Sequence, residues 1–485
     1  MSEAMSKGTK NGVPDYENIF HWAETQQDGE IPSFKLRQND PYEYQGGFGN
    51  TFESEAVPGT IPHGQNNPRK VRFGLYTEQI TGSAFVAPRS ANKKAWLYRM
   101  RPAVAHRGFT SLPDNPDMES NFLPSNQRVH ISPTQLAWVP GDIPSEQTTF
   151  VTGIKTMAGS GEPTLRDGLS THIYMCNTNM ETDAFVNSDG DYLIVPQEGA
   201  LDIQTEFGML YVQPGEICVI QRGHRFSIKL PDGKARGYIL EIWGSSFELP
   251  ELGPLGGNGM ANPRDFLVPT AKYNVTTDEQ WKIIYKICGK FFYSSQSHSP
   301  YDVVAWHGNY IPYKYDLTKF VTAGSISVDH IDPSIFCCLT AKSHNPHEPL
   351  ADFLVLPPRW DVSSHTYRPA YYHRNAASEY MGLIYGGFGG RSEVFRPGAV
   401  SYECGMVPHG KPYEGYLAAT TAAPGLVQMS KGSIAFMFES ARAFTITEYA
   451  WKSDKKHQHN PELWDRVKSH FPEHQEEIEK ALRGV

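Results

Sequence analysis

Apolar and polar positions alternate over short stretches through most of this 485-residue chain, and the stretches are closed by turn residues. Between residues 125 and 250 the runs THIYMCNT, DYLIVPQ, ALDIQTEF, MLYVQPGEICVI, FSIKL and GYILEIWG follow one another with a turn every ten or so residues. Their β-branched and aromatic content predicts strands of a sandwich or barrel. A connector rich in glycine, proline and asparagine, LPELGPLGGNGMANPRDF, comes next. Strand-like runs then resume at WKIIYKICGKFFY, SPYDVVAWHG, IFCCLTA, ADFLVLPP, YMGLIYG, VSYECGM and SIAFMFES. Helical spacing of apolar residues appears only near the C-terminus, in PELWDRVKSHF and EEIEKALRGV. Residues 1–40 are polar and aperiodic and predict a mobile extension. The chain thus divides into residues 1–40, an N-terminal β-domain over 41–310 and a C-terminal half over 311–485 with a helical tail.

The two β stretches repeat one unit. NSDGDYLIVPQEG precedes QPGEICVIQRGHRFSI in the first, and YYHRNAASEYMGLIYGG precedes RPGAVSYECGMVPHG in the second. Each has a strand ending in glycine, a Pro-Gly turn, and a strand entering a second glycine turn. The arrangement resembles the paired motifs of cupins. Val186 and Tyr192 stand where the second copy has His373 and Glu379, so one half is expected to bind metal and the other to act as scaffold. The expected fold is mostly β, cupin-like in its paired motifs, with a short helical C-terminal tail.

Composition narrows the function classes. A formal charge of −9 with no basic block argues against a nucleic-acid partner. No run approaches the roughly 20 apolar residues of a membrane helix, and the N-terminus lacks a secretory apolar core. The 6 cysteines form no CxxC pair, which points to a reducing cytoplasm and to neither zinc ribbon nor disulfide framework. GGFGN at 46–50 lacks a preceding strand run and following helix, so it is no phosphate loop. His224 in RGHRF lacks ligand partners and reads as structural.

His373, Glu379 and His409 are the candidate metal ligands, because two histidines and a carboxylate leave about three positions open on an iron ion. Six residues of straight strand would part His373 and Glu379 by roughly 20 Å. The intervening RNAAS must therefore turn the chain, with Arg374, Asn375 and Ser378 as turn formers. The same set suits zinc hydrolysis or metal-dependent sugar isomerisation, and spacing does not choose the metal. His307, in VVAWHGNYIPYKY, sits at a strand-to-turn junction suited to proton transfer, or to a structural role beside Trp306 and Tyr310.

Long strings make the chain resemble the homogentisate 1,2-dioxygenase family from about Gly46 to Phe471: GQNNP, NSDGD, QPGEICVIQRG, GPLGGNGMANPRDF, VVAWHGNY, DPSIF, PPRW, YYHRN, PHG and AFMFES. The resemblance implies a cupin-like jelly-roll with a second, smaller β-domain, and Fe(II) on His373, Glu379 and His409, with His307 as acid or base. It implies cleavage of a hydroquinone ring by O2 to maleylacetoacetate in phenylalanine and tyrosine catabolism, and a homohexamer built as a dimer of trimers. The candidate substrate contacts are His409, Phe388, Tyr385, Glu403, Asn375 and Tyr372, with Tyr371 as a further wall. Three positions depart from the family pattern. Phe388 replaces a substrate-contacting tyrosine, Glu403 replaces a histidine six residues before His409, and Tyr385 replaces an arginine after MGLI. These departures bring in two competing readings, cleavage of another hydroquinone or gentisate-like ring, and a silent cupin that binds a small aromatic.

Overall fold

A computed structural model describes residues 39–322, 328–329, 332–345, 347–368, 371–387, 394–430, 432–457 and 460–484. The expected extension over 1–40 falls almost wholly outside the described residues.

The strand Gly190–Glu198 shows how the layers form, because seven of its nine residues in a row are buried. Alternate side chains of a strand point to opposite faces, so a run buried throughout needs a partner on each side. Tyr192 and Ile194 enter one apolar cluster, together with Leu201, Ile203, Leu210 and Phe226. Leu193 and Val195 enter another, which contains Phe353, Tyr380, Phe436 and Phe438. The strand belongs to a ten-stranded sheet that lies between two seven-stranded sheets. The chain is mostly β, as its alternation predicts.

The sheets do not follow the 310/311 division. Leu136–Trp138 from the first half forms one edge of the C-terminal seven-stranded sheet, and Phe247–Glu248 forms the other. In return Thr445–Thr447 from the second half joins the central sheet through Ile154–Glu162.

Between the sheets of the first half lies a buried ionic cluster. Lys286 Nζ donates to Asp189 at 2.9 Å and to Glu241 at 2.7 Å, and all three side chains are at most 4% exposed. Asn187 and Ser170 donate to the same Glu241 carboxylate. His224 is fully buried, with its ring between Phe207 and Tyr310 at centroid distances of 4.8 Å. Burial pulls its pKa down to about 3, so it is a neutral core residue, as its sequence context implies.

The helical tail is shorter than the pattern predicts. Gln475–Leu482 is an α-helix, whereas Pro461–Trp464 forms only a 3-10 turn. Neither buries a residue, and short helices without a packed face are marginal in water. A helix over Tyr413–Thr421 was not legible in the pattern, and it too buries nothing. Among the described residues no helix is long and apolar enough to cross a membrane.

Candidate metal centre

The site grows from two backbone features. His373 and His409 form an isolated antiparallel bridge, with hydrogen bonds of 3.2 and 3.1 Å in the two directions. The chain then turns through RNAAS, and Glu379 becomes the second residue of the strand Ser378–Tyr385. The turn is held where Met406 N–H donates to the Asn375 carbonyl at 2.7 Å. One ligand-type atom from each of His373, Glu379 and His409 then lies within 4.8 Å of the others.

The donor set is oriented for a cation. His373 Nδ1 lies 2.8 Å from the Tyr371 carbonyl, and His409 Nδ1 lies 3.0 Å from the Val407 carbonyl. A carbonyl only accepts, so each Nδ1 carries a proton and Nε2 is left as the nitrogen that can ligate a metal once it is itself deprotonated. Asn375 Nδ2 donates to Glu379 Oε1 at 2.6 Å and fixes that carboxylate. His409 Nε2 is buried without a hydrogen-bond partner, although it lies 3.5 Å from Glu379 Oε1 and 3.4 Å from Glu403 Oε2. Such an orphaned atom between two carboxylates fits a metal position.

Electrostatics agree. The hydrogen-bonding reach of Glu379, then the charge of Glu403, raises the His409 pKa to about 9. Without a metal, a proton supplies the positive charge that the carboxylates favour. Burial alone would raise the Glu379 pKa, but His409 and Asn375 hold it below its ordinary value.

Strand register places more carboxylates beside the three. Glu379 lies opposite Glu403 on one side and Glu439 on the other, and Glu439 lies opposite Asp352. All four line one cavity of about 1450 Å³ that also admits His373 and His409. Burial, then repulsion from Glu379 and Asp352, pushes Glu439 up to about 8. Glu403 is anchored by a hydrogen bond from Gln135 Nε2.

The expected substrate contacts divide. Asn375, Glu403 and His409 line the cavity, and Phe388 lies outside the described residues. Tyr385 does not line it, and packs into the main core at 4% exposure. A register shift between Leu383 and Tyr385 breaks the alternation that would have put Tyr385 on the face of Glu379. Tyr372 is also absent from the lining, whereas its neighbour Tyr371 is present, with its ring 5.9 Å from that of His373. Neighbouring residues of an extended segment point apart, so only one tyrosine can share the face of His373.

His307 stands on a different element. It lies on Val303–Gly308 in a separate four-stranded sheet, and its Nε2 is 3.3 Å from Tyr98 Oη. It is not among the residues that line the cavity. Strand-to-turn context is a local feature, and it does not report which sheet carries the strand.

Sequence reasoning passed over Glu439, Asp352, Gln135 and Arg359. Only the alternation in AFMFES and ADFLVLPP hinted that Glu439 and Asp352 share a strand face with apolar neighbours.

Strands that converge two histidines and one carboxylate on a single cavity define a β protein with a candidate site for one metal ion. Residues 43–317 match the N-terminal domain described as homogentisate 1,2-dioxygenase, and residues 318–471 match the C-terminal domain of the same description. A homogentisate 1,2-dioxygenase of Arabidopsis thaliana is 47% identical over 440 residues, covering 90% of this chain and 95% of that protein. The Homo sapiens homogentisate 1,2-dioxygenase is 47% identical over 438 residues, covering 88% and 96%. The chain belongs to the homogentisate 1,2-dioxygenase family. Likenesses to solved structures are slight. An oxalate decarboxylase of Bacillus subtilis is 12% identical over 67% of this chain and 82% of its own, with a TM-score of 0.28. A cupin barrel protein of Leptotrichia buccalis is 8% identical over 62% and 92%, with a TM-score of 0.26. Neither carries an argument about this chain.

Proposed function

We propose that this chain is an Fe(II)-dependent dioxygenase that opens the ring of homogentisate with O2 to give maleylacetoacetate. The observation that carries the reading is the meeting of His373, Glu379 and His409, with Nδ1 of both histidines tied to backbone carbonyls. Family membership supplies the reaction.

His373 Nε2, His409 Nε2 and a Glu379 oxygen would hold the iron. Bound there, ferrous iron supplies Lewis acidity toward a ring hydroxyl and open positions for two reactants. Asn375 keeps Glu379 in place through its 2.6 Å hydrogen bond. Glu403 Oε2, at 3.4 Å from His409 Nε2, is placed to accept the proton that a ring hydroxyl loses. Apolar side chains of Met381, Met437 and Leu354 line the same cavity and exclude water from the ring.

In this reading residues 311–485 form the metal-binding half and 41–310 the scaffold. The assembly is a cytoplasmic homohexamer, a dimer of trimers, and the exposed Phe85 and Val86 suit a contact between subunits. Sedimentation at six times the 54.3 kDa chain mass is the expected result.

The deciding experiment is anaerobic Fe(II) loading followed by O2 uptake with homogentisate, gentisate and a neutral alkylhydroquinone. Homogentisate is expected to consume one O2 per ring opened. Uptake with gentisate or the neutral ring alone would overturn the substrate, and an iron-loaded protein inert to all three would leave a silent cupin. Glu379→Ala is expected to fold, lose iron and lose uptake together, and an iron-replete active variant would overturn the ligand set.

A further inference from the structure

Burying a guanidinium without satisfying its N–H donors costs free energy, so such donors find a protein group, water or a ligand. Arg359 is a half-buried case. It opens the short strand Arg359–Asp361, which pairs with Val427–Met429, and it lines the cavity of the candidate metal centre. Its guanidinium stacks 4.6 Å from the centroid of Phe336. Among the described residues Nη1 donates to the Pro357 carbonyl at 3.3 Å, while Nε is buried with no acceptor. The nearby carboxylate, Asp361, already accepts from Ser363 and lies 3.4 Å from Arg368 Nε. Burial pulls the Arg359 pKa down to about 10, opposed only by Asp361, and the group stays cationic at neutral pH.

Three other lysine and arginine side chains line the cavity, Lys342, Arg374 and Lys411, and the first two are more exposed than Arg359. Lys342 is 66% exposed and already paired with Glu248 at 2.7 Å, and Arg374 is exposed.

Register locates Arg359 relative to the ligands. Phe336, over which it stacks, packs with Ile335 and Leu354. Leu354 lies opposite Met437, and Met437 opposite Met381. This apolar row is two residues along the strands from the row Asp352–Glu439–Glu379, which is roughly 7 Å. A ring that places one hydroxyl at the ligands therefore rests on Met381, Met437 and Leu354. A carboxymethyl arm on the adjacent ring carbon then comes within reach of a side chain as long as arginine.

We propose that Arg359 is the specificity-determining residue that receives the carboxylate arm of the substrate through its terminal guanidinium nitrogens. The inference rests on the proposed function and deepens it. A guanidinium presents two parallel donors that match a carboxylate, which an ammonium does not. Arg359 thereby selects an acidic hydroquinone over a neutral one.

The test is anaerobic titration of the iron-loaded full-length protein with homogentisate and with its methyl ester. The wild type is expected to favour the acid. Arg359→Gln is expected to weaken binding of the acid by about 10- to 100-fold, the range for a charge-assisted hydrogen bond to a carboxylate. It should leave the ester within about twofold and the iron content unchanged. Arg359→Lys, which keeps the charge and loses the fork, is expected to fall between. If Arg359→Gln does not fold, Arg359→Lys decides by itself, and an unchanged preference for the acid overturns the proposal. Equal weakening of acid and ester, or none, also overturns it. Failure of the functional reading shows separately, as a wild type that binds the acid and takes up no O2.

Discussion

Tyr192 and Glu379 hold the same register position in the two halves of the chain. Tyr192 lies opposite Ile220 and Glu241, and Glu379 lies opposite Glu403 and Glu439. The next strand out carries Ser170 beside Glu241 and Asp352 beside Glu439. The two halves have diverged in what meets the paired glutamate. In the first, Lys286 Nζ sits 2.7 Å from Glu241, an internal cation. In the second, Glu439 stands among the carboxylates Glu379 and Asp352.

Removing the internal cation is expected to be costly. Lys286→Met leaves Asp189 and Glu241 buried and uncompensated, a loss of about 3–5 kcal/mol by analogy with other broken buried pairs. Urea unfolding of the variant against the wild type measures it, and a change below about 1 kcal/mol would show that the cluster relaxes or hydrates.

Glu439 sets a pH dependence for the metal-free protein. Its pKa is raised from 4.5 to about 8 in the fold, so the folded state favours its neutral form. The resulting cost is absent below pH 4.5, grows as pH rises toward 8, and is constant above. Glu439→Gln removes that cost. Its melting temperature is therefore expected to match the wild type near pH 5 and exceed it near pH 9. A constant difference across that window would assign the effect to packing.

His409 predicts proton release on metal loading. With a pKa raised to about 9 by Glu379 and Glu403, it is protonated at pH 7 in the metal-free protein, and a ligand nitrogen must be neutral. Loading at pH 7 should release close to one proton from this group, falling away as pH passes 9. Calorimetry in buffers of different ionisation enthalpy counts it. Glu403→Gln removes one of the causes and should reduce the release at pH 8. Equal counts for both proteins would mean that Glu403 does not act on His409.

His307→Gln separates a proton-transfer role from a structural one. Acid–base groups contribute about 10² to 10⁴-fold. Because His307 contacts Tyr98 and is not among the residues that line the cavity, the variant is expected to keep its metal and to keep turnover within about threefold. A loss of a hundredfold with iron retained would restore His307 to the reaction.

The sequence by itself determined the β class, because strand alternation and turn residues are local signals that tertiary packing did not need to override. It also determined the turn between His373 and Glu379, since straight strand could not bring the two to one ion. Tertiary structure decided which neighbours share a face. A single register shift sent Tyr385 to the core, and extended chain geometry gave the cavity Tyr371 and not Tyr372. It also decided that His307 belongs to another sheet, and that Glu403, Glu439 and Asp352 stand in line with Glu379. These are properties of register and strand order between segments as far apart in sequence as Glu53 and its partner His307, a separation of 254 residues. No local pattern encodes them, because pairing partners are selected by the burial of whole faces and not by the residues that end up side by side.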